Sequence, residues 1–475
     1  MITTLRNITK RTSFWIIFLL LLSSLFRLTF LNTMEFKADE AESFYQVYNF
    51  LHHHEFPTTG FATSIGVHNL PFFPYFLILL SILHTDPEFL AFMIALINVL
   101  MVPLFYLFIK KFYSHSIAIF SSLFVALAPW EILYSRKIWA IDVFFIFSVP
   151  FLYFLHRLIY LKDTKASFWT ALFAVFLVQI EFSGLFFVLV TICYLIVSRT
   201  KINFLSAAKG VLVGSITVAP YLYYQFFSEG FCRDCIVFST SVKSGYSFDL
   251  NHFIRPFQLF SVFNFDSILG NDYGTFFQFS FLLFFVKFLG LISVAFILVG
   301  IWHIVSKEKK HLLLVWYIIL LPICYLLCGV SSYMYYYIIL MPVVALIASI
   351  GIRSLLDLPK IKWLKQGCIA LFLSLLMSFI VFEFFLINFL ESQKVVHGDY
   401  GPIYSLGNTY VTEELKKYQS YPYYNDLKYY AFIFLYTDDF HIRLGDFFIA
   451  RHDYKDAKRE YSIQKDPIED DFLTQ

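Results

Sequence analysis

The sequence predicts an all-α polytopic membrane protein of about eleven transmembrane helices. Three observations carry that expectation. Of 475 residues, 59% are hydrophobic and only 15% are charged, where a soluble protein carries about 25% charge. The apolar residues fall in runs near the length that crosses a bilayer. The basic residues between those runs alternate as a membrane orients them. The net charge of +2 points to no nucleic-acid partner; where the charges sit matters more than their sum.

The N-terminus carries Arg6, Lys10 and Arg11 ahead of an apolar run at 13–31. Arg27 interrupts that run and no small-residue cleavage site follows it, so it reads as a retained signal-anchor helix rather than a cleaved signal peptide. Further spans are expected at 89–109, 116–130, 139–160, 167–182, 184–198, 208–227, 280–303, 312–329, 334–351 and 367–390. Residues 70–84 form a shorter run with Pro71 and Pro74 in its first turns. A run that short lies at an interface more often than it spans.

The positive-inside rule supports that choice. With 70–84 at the outer interface and a cytoplasmic N-terminus, the basic clusters all fall in cytoplasmic loops. These are Lys110-Lys111, Lys162 with Lys165, Arg199 with Lys201 and Lys209, Lys307 with Lys309-Lys310, and Arg353 with Lys360, Lys362 and Lys365. A twelfth span would invert every one of them. The expected organisation is a transmembrane domain at 1–390, with outer loops at 32–88, 131–138 and 228–279, and an extracytoplasmic C-terminal region at 391–475. That last region is charged and Tyr-rich, contains His397-Gly398-Asp399-Tyr400-Gly401-Pro402, and ends in an acidic stretch from about Pro467 expected to be disordered.

This topology gathers the polar chemistry outside. Phe36-Lys37-Ala38-Asp39-Glu40-Ala41-Glu42 places three carboxylates just past the first span. Phe36, Phe44, Val47, Tyr48 and Leu51 share a helical face, which would lay the segment along the membrane surface with its acids toward water or a cavity. A carboxylate there suits a general base or a divalent ion, although composition alone favours a solvated loop end. Arg136 suits a phosphate, which its planar fork grips twice; with Lys137 beside it, it equally suits interfacial snorkelling. Asp142 opens the next span and is either an acid at membrane depth, free to pair with Arg136 or Lys137, or a helix N-terminal acid. Glu181 ends an almost wholly apolar span and is costly unless it faces a cavity. Tyr333 to Tyr337 read as an aromatic belt whose hydroxyls also suit a sugar or phosphate.

Other motifs carry less. The adjacent histidines 52–54 do not share a helical face, which argues against a metal site. Cys232 and Cys235 form a CxxC in a polar loop, where a disulfide is a better reading than zinc, which needs two more ligands. The other four cysteines lie in apolar segments as packing residues. No phosphate-cradling Gly-rich loop argues for nucleotide-driven transport, and no Arg-rich voltage sensor argues for a channel.

Four stretches together resemble the GT-C class of integral-membrane glycosyltransferases. They are most similar to bacterial glycosyltransferases of the family 39 and 83 type, relatives of protein O-mannosyltransferases and aminoarabinose transferases. The stretches are Ala38-Asp39-Glu40-Ala41; Val67-His68-Asn69-Leu70-Pro71-Phe72-Phe73-Pro74-Tyr75; Ala128-Pro129-Trp130 through Tyr134-Ser135-Arg136-Lys137-Ile138-Trp139; and Tyr335-Tyr336-Tyr337 leading to Pro342. Leu70 stands where that group places Pro, Tyr336 where it places His, and Glu181 where relatives often place His. The resemblance implies a GT-C fold with outer-face interfacial helices. It also implies inverting transfer of a hexose or pentose from a polyprenyl-phosphate donor, outside the membrane, to a glycan, lipid or protein acceptor. In that reading Asp39 is the catalytic base and Glu40 positions the acceptor or a divalent metal ion. Arg136, Lys137 and His68 bind the donor phosphate, and Asn69, Tyr134, Asp142, Glu181 and Tyr336 bind substrate. The alternative is a multi-span transporter or lipid flippase, which predicts broken or charged helices at the midplane and related halves. The polar residues here concentrate at outer helix ends instead.

Overall fold

The computed structural model describes residues 12–61, 67–228, 248–358, 362–435, 437, 440–451, 453, 456 and 460. Cys232, Arg233, Asp234 and Cys235 of the CxxC loop, and the acidic end from Pro467, lie outside the described residues. Each of the eleven expected spans contains a helix. Seven helices, of 20 residues or more, are long and apolar enough to cross a membrane: Pro87–Phe112, Ala140–Tyr160, Phe204–Phe227, Phe281–Ser306, Lys309–Cys328, Met334–Asp357 and Trp363–Gln393. The remaining four, Thr12–Arg27, His115–Leu127, Ala166–Ile180 and Phe182–Val197, have 13 to 16 residues. At 1.5 Å rise per residue, 16 residues reach about 24 Å, short of a hydrocarbon core of about 30 Å. Phe72–Ser81 has only 10 residues and is far too short to span, as Pro71 and Pro74 led one to expect.

The bundle packs by close backbone approach where glycine permits it. A Cβ at Gly300 would lie 2.0 Å from the Ile347 carbonyl oxygen, and one at Gly351 would lie 2.1 Å from that of Phe296. Helices Phe281–Ser306 and Met334–Asp357 therefore cross in main-chain contact. This is how membrane helices associate when lipid removes the hydrophobic drive between them.

Contacts between loops sort them to two ends of the bundle. At one end Lys111 Nζ donates to Tyr153 Oη at 2.9 Å, Tyr113 meets His156 at 3.0 Å, and Tyr160 meets His311 at 2.9 Å. The basic clusters at 110–111, 162–165 and 307–310 belong to these loops. At the other end the rings of Trp139 and Tyr335 lie 5.0 Å apart, His252 Nε2 lies 2.6 Å from the Val330 carbonyl oxygen, and the Tyr400 hydroxyl donates to the Thr33 carbonyl.

The C-terminal region is built onto that second end. Past the last span, Val395–Val396 pairs antiparallel with Gly401–Pro402, and Glu35 makes a further bridge to Ile403. Helices Tyr404–Glu414, Tyr424–Ile433 and Phe440–Ala450 follow. The second of these lies on helix Ala38–His53, with Phe36 against Phe432 at 5.1 Å, Phe44 against Tyr429 at 4.8 Å and Tyr45 against Tyr430 at 5.6 Å between ring centres. This corrects one expectation. Phe44, Val47 and Tyr48 do form a buried face, but protein aromatics from the tail cover it, not the membrane surface. An amphipathic period reports that a face needs covering, not what covers it.

Candidate active site

The segment after the first span turns into helix Ala38–His53 at Lys37. The Glu40 carboxylate accepts the Lys37 backbone N–H at 3.4 Å, the reciprocal arm of a capping box. Asp39 and Glu40 thus stand in the first helical turn, where the helix dipole favours negative charge. The second loop is shaped by its own sequence. Pro129 opens a one-turn helix, Pro129–Leu133, and Trp139 is extended before the chain turns at Ala140–Val143. Asp142 closes that turn by accepting the Trp139 N–H at 3.3 Å, and Asn98 Nδ2 donates to the Asp142 carbonyl at 2.9 Å.

Lys137 is the centre of the site. Its Nζ lies 2.6 Å from Glu35 Oε2 and 3.0 Å from Glu40 Oε1, with all three side chains buried. It stands over the rings of Trp139, at 4.4 Å, and Tyr134, at 5.3 Å, which adds cation–π attraction. Burial would depress its pKa, but Glu35 and Glu40 hold it well above the ordinary lysine value. Burial pushes the Glu40 carboxyl up to about 7; Lys137 opposes that rise, while the charges of Glu35 and Asp39 add to it. Glu35 goes the other way. Burial would raise it, yet Lys137 and Lys37 together hold it below the usual carboxylate range. Asp39 is half-buried, with Lys137 and Trp139 among its neighbours; its pKa is raised, chiefly by burial. The arrangement is a fixed cation beside a partly exposed carboxylate of raised proton affinity, walled by aromatic rings.

The aromatic wall connects the rest. Trp139 meets Tyr335, Tyr335 lies 4.4 Å from Tyr336, and Tyr336 lies 5.5 Å from Tyr325. Glu181 is extended, accepts the Ser183 N–H at 2.7 Å to cap the following helix, and lies in the electrostatic neighbourhood of Tyr335 and Tyr336. Asp39, Glu40, Tyr134, Lys137, Asp142, Glu181 and Tyr336 therefore belong to one continuous neighbourhood. His68 packs edge-on to Tyr224 at 5.8 Å. Asn69 is buried, and its backbone pairs with Gly60 at 2.7 Å and Phe61 at 3.1 Å.

Arg136 points elsewhere than the sequence reading suggested. Its guanidinium donates to the Phe26 carbonyl at 3.0 Å, to the Phe30 carbonyl, and to Thr33 Oγ1 at 3.2 Å. Glu383 and Tyr400 lie nearby. It ties the end of the first span and Thr33 to the second loop, two residues short of Glu35. Asp142 pairs with neither Arg136 nor Lys137 in a direct ion pair among the described residues, though it feels the charge of Lys137.

A divalent ion here would rest on Asp39 and Glu40, the two carboxylates the sequence offers for it. Among the described residues no three His, Cys, Asp or Glu side chains come together to hold an ion. Glu40 is committed to Lys137 and to the Lys37 amide, which leaves Asp39 alone. His52 stacks on Tyr48 at 4.3 Å, and histidines 52–54 end the helix without forming a ligand set.

Glu35, Lys37, Trp139 and Tyr400 were missed by the sequence reading. Glu35 and Lys37 had a local signal, since residues two apart in extended chain face the same side. Tyr400 had none beyond its place in a Gly-flanked turn.

The sequence matches no protein-family model and no curated protein. Among solved structures, the fold is shared with the oligosaccharyltransferase of Archaeoglobus fulgidus, crystallised with zinc and sulfate. The TM-score is 0.52 at 15% identity over 86% of this chain. The chain spans 56% of that protein's length. ArnT from Cupriavidus metallidurans, bound to undecaprenyl phosphate, aligns with TM-score 0.49 at 13% identity over 93% of this chain and 74% of its own. This chain is a multi-pass membrane protein, and it shares the GT-C fold with that oligosaccharyltransferase.

Proposed function

We propose that this chain transfers a sugar from a polyprenyl-phosphate carrier to an acceptor on the extracytoplasmic face of a membrane. The observation that carries the reading is Lys137, a buried cation fixed between Glu35 and Glu40 beside the half-buried Asp39, in a chain of GT-C fold. Asp39, with its raised proton affinity, takes the acceptor proton as the acceptor attacks the anomeric carbon from the face opposite the leaving group. Sugar transfer passes through an oxocarbenium-like state, and the departing lipid phosphate gains charge as the bond breaks. A fixed cation in a water-poor site stabilises that charge without reorganising, the role we give to Lys137. Arg136 supports it by holding Phe26 to Thr33 in place. Tyr134, Trp139, Tyr336 and Glu181 form the wall against which a sugar lies. The basic clusters at the opposite end of the bundle support an orientation with this site outside.

The test uses membranes containing wild-type chain, Asp39→Asn or Lys137→Met, supplied with polyprenyl-phosphate-linked sugar. Each substitution should lower transfer by about 100-fold or more. Near-normal transfer by both variants at normal expression sinks the reading. Mass spectrometry of envelope glycans with and without the chain would then identify sugar and acceptor.

A further inference from the structure

The segment before the acid-bearing helix holds a carboxylate to which the reaction above gives only the task of fixing Lys137. Glu35 is buried, and its two oxygens go to two different ammonium groups: Oε1 lies 3.2 Å from Lys37 Nζ, and Oε2 lies 2.6 Å from Lys137 Nζ. Lys37 is held there from the tail side, donating to the Asp399 carbonyl and lying 3.9 Å from the Asp399 carboxylate. Local structure does not require Glu35 to be acidic. Its backbone is held by the bridge to Ile403, and Glu40 supplies the carboxylate of the capping box. One anion joining two cations, one oxygen to each, is how phosphate oxygens engage basic side chains. Access to the two ammoniums is graded. The Lys37 side chain is 22% exposed and that of Lys137 is 5% exposed, so an anion arriving from outside meets Lys37 first.

We propose that Lys37 and Lys137 together form the seat of the lipid phosphate, and that Glu35 occupies this seat while it is empty, competing with phosphate for both ammoniums. The proposal rests on the polyprenyl-phosphate reading of the same site. It makes Lys37 a phosphate ligand and gives Asp399 the task of keeping Lys37 within reach. It also gives Glu35 two opposed effects. Its charge keeps two neighbouring cations from standing uncompensated, and it weakens donor binding by the work of displacing it.

The experiment titrates full-length purified protein in detergent with undecaprenyl phosphate alone and reads affinity by calorimetry. Lys37→Met should weaken binding by about tenfold or more, the loss of one charged contact. Glu35→Gln should tighten it, by about three- to tenfold, because the internal competitor is gone. If Glu35→Gln does not fold, Glu35→Asp keeps the charge but is one methylene shorter, so it no longer reaches both ammoniums; it too should bind more tightly. Folded Glu35→Gln or Glu35→Asp that binds no tighter than wild type overturns the proposal, as does undiminished binding by Lys37→Met. Absence of binding by the folded wild type overturns the donor reading itself. Binding by wild type with unchanged affinity in the variants overturns only the assignment of the seat.

Discussion

Replacing Lys137 with Met tests how the charges at the centre of the site are balanced. The substitution keeps most of the side-chain volume and removes one buried cation from between two carboxylates, 2.6 and 3.0 Å away. Removing one partner of a buried pair typically costs about 3–5 kcal/mol, because the remaining charge is left uncompensated. Here the carboxylates have an escape, which is to bind a proton. Glu40 already stands at about 7, and loss of Lys137, which pulls it down, moves it higher still. A carboxyl raised in the folded state binds more protons folded than unfolded, so its contribution to stability is greatest at low pH and is lost as pH rises through the folded value. The cost of Lys137→Met should therefore be larger at pH 8 than at pH 6, by up to about 1.4 kcal/mol per pH unit for each proton involved. Thermal unfolding of detergent-solubilised protein, followed by tryptophan fluorescence at both pH values, reads this directly. Equal midpoints for variant and wild type, or a larger loss at pH 6, would refute the account of Lys137 as the shared counter-ion.

Glu40→Gln should flatten the dependence of wild-type stability on pH between about 4.5 and 7, the window between the ordinary and folded values of that carboxyl, as followed by unfolding midpoints across that range. Phe432→Ala, which removes the tail ring 5.1 Å from Phe36, should destabilise the protein by about 3–5 kcal/mol and speed protease cleavage in the Ala38–His53 segment. Gly300→Val would drive a Cβ to within 2.0 Å of the Ile347 carbonyl; the helices must separate, and folded yield in detergent chromatography should fall sharply.

How far the sequence could be read depended on the range of the interactions. The apolar runs were legible because the bilayer imposes a length on each one separately. Pro71 and Pro74 marked 70–84 as a short helix for the same local reason. The separation of Lys110-Lys111 from the acids was legible because the membrane gives every loop one of two addresses. Pairings across loops were not. Lys137 and Glu35 are 102 positions apart, and Tyr400 and Thr33 are 367 apart; no local period encodes either contact. Arg136 shows the limit within a motif. Residue type and loop position fit a phosphate ligand, but only the path of the first span past its end reveals that the Phe26 and Phe30 carbonyls claim the guanidinium. Its neighbour Lys137, one residue on, points into the site.

The hairpin at 395–402 closes over a segment more than 350 positions earlier in the chain. Its Tyr400 hydroxyl rests on the Thr33 carbonyl, and its Asp399 holds Lys37. Synthesis runs from the N-terminus, so Thr33 and Lys37 gain these two contacts only once residues near 400 have been made. A chain cut after Gln393 would keep every helix up to that point and lose both the Tyr400 and the Asp399 contacts to this segment.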